Sequence, residues 1–186
     1  MASLSQALKV LYGLEFSNRP DKFLHHNDGE NGYTLAGIYQ SANPKESFWK
    51  TVDDVVMKHD GDIIEASKEL FENTNILMNV QRVYRDLYWN KIRGDEITSQ
   101  KIAEEIFIMV VVSGIENGVK LAQGLVGANI DGDVGTQTIT FLNNFNENNF
   151  DVKYDDLEID FFEKLAIRKP HLAKNLKGWK NRAKAV

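Results

Sequence analysis

The chain has 186 residues, 42% apolar and 26% charged, enough for one well-buried domain or one domain with a small appended subdomain. It contains no cysteine, which excludes disulfides, thiolate metal sites and a cysteine nucleophile. The net charge of −5 hides an asymmetry, because the segment from Lys164 onward carries eight Lys and Arg and no acid, leaving −13 for residues 1–163. Such a basic tail suits an anionic polymer, or simply the solvated face of a terminal helix. The opening MASLSQALKVLYG lacks the basic start and long apolar core of a secretory signal, and no run nears the roughly 18 apolar residues of a membrane span. The expectation is synthesis in the cytoplasm without a signal peptide, and no stable membrane insertion.

The first element reads as a helix. Leu4, Leu8, Leu11 and Leu14, with Ala7 beside them, recur at the three- and four-residue steps of one face. Glu15 falls on that same face, where another apolar side chain is due. Burial and the negative end of the helix dipole both disfavour an ionised carboxylate there, which is the setting of a general acid. A long loop follows, carrying Asp28, Gly32, Tyr33, Thr34 and Gly37. Gly29 and Gly32 permit the turns that fold it back toward the helix end, and Gly37 permits close backbone approach. The order Glu15, Asp28, Thr34, Gly37 resembles the active-site hairpin of phage-type lysozymes, in which a helix-terminal Glu faces a short turn bearing Asp and Thr.

Downstream, the pattern stays helical. FWKTVDDVVMKH reads as one helix to about His59, and Asp62 is placed to cap the next, IIEASKELFEN. The stretch from Ile76 to Arg93 carries Leu77, Val80, Val83, Tyr84, Leu87 and Tyr88 on one predicted stripe. After Gly94-Asp95-Glu96, Ser99 opens a helix that becomes wholly apolar at Ile106–Val112, as expected at the centre of a bundle; a short buried strand is the alternative. Ser113-Gly114 breaks it before NGVKLAQGLVGA, another short helix.

A second motif lies in VGANIDGDVGTQTITFL. Asp131, Gly132, Gly135 and Thr138 resemble the Asp-Gly turn and helix of small peptidoglycan-binding modules, with Thr136 or Asp133 as candidate cap. An EF-hand reading fails, because Val134 stands where the loop needs Gly and Thr140 where it needs a bidentate Glu. In the closing segment Phe161, Phe162, Leu165, Pro170, Leu172, Leu176 and Trp179 are the expected packing face.

Taken in order, the helix-end Glu15, the Gly-rich loop, Leu87-Tyr88-Trp89-x-x-Ile92, the apolar helix ending Ser113-Gly114, the Asp-Gly turn, and Pro170 followed by Lys177-Gly178-Trp179-x-x-Arg182 resemble glycoside hydrolase family 108. That family comprises phage and prophage lysozymes, also called secretion activators. The resemblance implies a mainly α, lysozyme-like helical bundle with a short loop or small hairpin after the first helix. It implies a lysozyme-like catalytic region over residues 1–115 and an integrated peptidoglycan-binding-like region over 116–186, in one compact unit. The implied activity is hydrolysis of the β-1,4 bond after N-acetylmuramic acid in peptidoglycan, without metal or cofactor.

In that reading Glu15 is the general acid, and Asp28 orients water or stabilises the oxocarbenium-like transition state. Thr34 holds the water, and Tyr33, Tyr39 and Trp89 are candidates for stacking on sugar. The partner is a peptidoglycan glycan strand rather than nucleic acid, reached in the periplasm after release through a holin or dedicated pore. Oligomeric state stays open. The chain departs from the family where Glu15-Phe16-Ser17-Asn18 replaces Glu-Gly-Gly-Tyr and Gly29-Glu30-Asn31-Gly32 replaces Asp-Pro-Gly-Gly. Ile108 and Val112 also stand where the family has polar Asp and Asn.

Three alternatives share this sequence. A lytic transglycosylase would use the same acid and close the sugar on itself. A diverged wall-binding or phage structural protein would bind and release nothing. A zinc amidase could be built around His25-His26, but no helix carries the His spacing of a zinc site.

Overall fold

Gly114, at φ 93°, separates the two helices that form the centre of the larger of two units into which the chain divides. The computed structural model describes residues 1–26 and 31–185. One unit comprises residues 11–84; the other combines residues 1–10 with 85–186. The fold is mainly helical, as the periodicity predicts, with a small antiparallel sheet after the first helix, as the resemblance implies. Among the described residues, no helix is long and apolar enough to cross a membrane.

In the 11–84 unit, helix α1 (Leu4–Phe16) delivers its last residues to a three-stranded sheet of β1 (Leu24–His25), β2 (Thr34–Leu35) and β3 (Ile38–Tyr39), in sequence order. Helices α2 (Phe48–Lys58), α3 (Ile63–Glu72) and α4 (Thr74–Tyr84) complete it. Helix α3 is the hub, packing on α2, α4, β1 and the 3-10 turn Pro20–Lys22. Asp62 caps it as expected, accepting from the backbone N–H groups of Ile64 and Glu65. Buried Ser67 then ties the sheet to α3: its hydroxyl accepts from Leu24 N at 2.9 Å and donates to Pro20 O at 2.5 Å. Phe16, Phe23 and Phe71 meet edge to face beneath the hairpin, with centroids 5.4–6.3 Å apart.

In the other unit, α5 (Gln100–Ser113) is the buried axis. Its residues from Glu105 through Val110 are consecutively buried, so the helical alternative prevails over the strand. Helix α6 (Ile115–Val126) lies against it so closely that a β-carbon on Gly118 would come within 2.6 Å of Val110 Cγ1. Helices α7 (Thr136–Asn144), α8 (Glu147–Arg168) and α9 (Leu176–Ala183) follow, with Trp179 stacked on Phe162 at 4.8 Å.

Two local expectations are corrected. The helix expected from Ile76 to Arg93 ends at Tyr84 and passes through a π turn, Arg85–Trp89, in which Asn90 N donates to Arg85 O. The wider turn shifts the register, so Trp89 is buried while Leu87 is exposed. At the Asp-Gly turn, neither Thr136 nor Asp133 caps α7, whose N-cap is Gly135. Buried Gln123 organises the turn instead. Its amide donates to Asp131 Oδ1 and Asp133 O, and its carbonyl accepts from Gly132 N at 2.9 Å.

Candidate active site

Helix α1 ends because Ser17 and Asn18 both adopt left-handed φ, 56° and 53°. Asn18 N reaches back to Tyr12 O, and Ser17 N to Gly13 O, which satisfies carbonyls of the last turn as the chain reverses. The reversal leaves Glu15 half-buried on the final turn.

Opposite it stands the β2–β3 hairpin. Leu35 pairs with Ile38 and Thr34 with Tyr39, leaving a two-residue turn of Ala36 and Gly37. Both turn residues have positive φ, 48° and 83°, the signature of the type I′ turn that matches strand twist. Gly37 occupies a space with little room for a side chain. A β-carbon there would lie 2.8 Å from the Tyr84 hydroxyl oxygen and 3.4 Å from Glu15 Cγ. Tyr84 is buried, and its hydroxyl donates to Ala36 O at 2.8 Å, so the turn is clasped between Glu15 and Tyr84. Sequence periodicity marks Tyr84 only as a core residue; its role on the hairpin 48 positions away has no local signal.

The remaining predicted residues fall in different settings. Asp28 lies outside the described residues. Thr34 is on β2 within the same hairpin but only 2% exposed, and its hydroxyl has no hydrogen-bond partner among the described residues. Tyr33 is half-buried, edge-on to His26 at 6.1 Å, with its backbone N–H held by the Gln40 side chain at 2.9 Å. Tyr39 is 46% exposed at the strand end.

Trp89 is corrected: it is fully buried, its ring edge-on to Phe107 and its indole N–H donating to Asp95 at 2.7 Å. No sugar can stack on a ring so enclosed. Of the histidines outside the His25-His26 pair, His59 pairs with Glu69 at 2.7 Å and His171 is exposed.

A helix-end carboxyl held against a hairpin turn can give a proton to a bond lying along that turn. The family model described as Glycosyl hydrolase 108 matches residues 21–114, a span that holds the hairpin and begins just after Glu15. The chain also resembles a solved structure, SagA of Brucella abortus, with a TM-score of 0.59 at 17% identity. That likeness covers 97% of this chain and 92% of that one, and at this identity it speaks for the fold alone. None of the curated proteins compared with the chain matches it.

Proposed function

This chain belongs to glycosyl hydrolase family 108, and we propose on that footing that it is a peptidoglycan hydrolase, an N-acetylmuramidase of the endolysin type, with Glu15 as general acid. The observation that carries the reading is the approach of the half-buried Glu15 side chain to the Ala36–Gly37 turn. Glu15 gives its proton to the leaving O4 as the bond from C1 of N-acetylmuramic acid breaks. Water adds its oxygen to C1, and its proton passes to a carboxylate, for which Asp28 is the candidate. Thr34 is the candidate hydroxyl for holding that water, and Tyr33 and Tyr39 are candidates for the sugar faces.

Residues 116–186 serve in this proposal as the wall-binding region, whose basic closing segment helps an otherwise acidic protein approach an anionic wall. Synthesis in the cytoplasm, release through a holin or dedicated pore, and action on periplasmic peptidoglycan complete the reading.

The test is mass spectrometry of purified sacculi digested with the wild-type protein and with Glu15→Gln. Reducing muropeptides from the wild type alone support the proposal. Anhydro-muropeptides would replace hydrolysis with transglycosylation, and sacculi that bind the protein but release nothing would leave a wall-binding protein.

A further inference from the structure

In the 1–10/85–186 unit, helix α8 turns a row of acids toward α5. Asp151, Asp155 and Glu158 recur at helical spacing on α8, and α5 answers with Glu105. Glu105, Asp151 and Asp155 each offer a carboxylate oxygen, no two of them more than 4.8 Å apart. Hard divalent cations hold carboxylate oxygens at about 2.3–2.6 Å, so oxygens on opposite sides of one ion lie about 5 Å apart. The three oxygens fit around one such ion.

Glu105 itself supplies the independent sign of a ligand. It is 1% exposed, and neither of its oxygens has a donor among the described residues. Asp155 Oδ1 and Glu158 Oε1 are likewise buried without one. The Glu105 carboxyl touches that of Asp151, an approach two carboxylates make only around a shared proton or cation.

The neighbouring cations are few. Lys101 of α5 pairs with Asp151 at 2.9 Å, Lys184 acts on Asp155 from the end of α9, and Arg182 lines the same small cavity as Glu158. Asp156 adds further negative charge beside Asp155. Buried Tyr154 gives its hydroxyl to Gly118 O and is not free to serve the carboxylates. One proton shared by Glu105 and Asp151 would still leave Asp155 Oδ1 without a partner. One ion serves all three.

We propose that Glu105, Asp151 and Asp155 bind a hard divalent cation such as calcium, and that the ion fastens α8 to α5. The full chain, stripped with EDTA at neutral pH, is melted with and without calcium or magnesium chloride, and binding is followed by calorimetry. An excess of the bound ion about 100-fold over its Kd should raise Tm by about 5–10 °C. Glu105→Gln keeps the volume and removes the charge, and should abolish the shift and the heat. Asp155→Asn, at the more open edge of the cluster, should do the same and serves if Glu105→Gln does not fold. No shift and no heat with either salt, or an equal shift in a folded variant, overturns the proposal.

Discussion

The side chain of Glu15 rests against the backbone of Gly37, with a β-carbon at position 37 destined to fall 3.4 Å from Glu15 Cγ and 3.5 Å from Cδ. Gly37→Ala therefore sets a methyl group into this contact and toward the Tyr84 hydroxyl, at a left-handed φ that costs an L-residue about 1–2 kcal/mol. The variant should melt several degrees lower. It should also lose clearing activity on purified peptidoglycan beyond what the stability loss explains, because the displaced turn moves the acid. Full activity at lowered Tm would show that the turn does not position Glu15.

Glu15→Gln keeps the shape and removes the proton. Clearing should fall by roughly 100- to 10,000-fold, the range for loss of a general acid. Tm should stay within about 2 °C, as expected for a partly exposed site whose packing is unchanged. A folded variant that clears at the wild-type rate removes Glu15 from the mechanism.

Tyr84→Phe deletes the hydroxyl that donates to Ala36 O and leaves a buried carbonyl without that donor. The expected loss is about 1–3 kcal/mol in denaturant unfolding. Activity should drop less than in Glu15→Gln, since the acid remains and only its clasp is loosened. An unchanged unfolding midpoint would show that the hairpin holds without this bond.

Asp95 gives a pH prediction. The Trp89 indole N–H, and then Arg85, hold its carboxyl below the usual carboxylate range. A pKa lower in the folded than in the unfolded chain gives stability that is fully present above the unfolded value, about 3.9, and lost as pH falls through the folded value. Asp95→Asn should therefore melt below the wild type at neutral pH, and the two curves should converge in acid below about pH 4. A gap that persists unchanged at low pH would assign the effect to packing rather than charge.

How far the sequence could be read depends on the range of each signal. The Asp62 cap, the break at Gly114, and the helical face through Leu11 to Glu15 are decided by neighbours within about one turn, and the structure reproduces them. The hairpin was legible only through the family resemblance; the residues themselves marked Gly37 for close backbone approach, and its place in the turn is set by the strand pairing. Trp89 was misread because a stripe drawn at constant α-helical pitch cannot register a π turn, and one extra residue per turn exchanges its place with Leu87.

By itself, then, the sequence determined a chain of helices broken at known points, and an acid at the end of the first, because propensity, capping and apolar periodicity act along the chain. Only the tertiary structure decided what that acid touches. It brought Gly37 and Tyr84 to one turn, enclosed Trp89, and set Glu105 against Asp151 and Asp155. These meetings join residues far apart along the chain, and the close packing that imposes them has no counterpart in any local pattern.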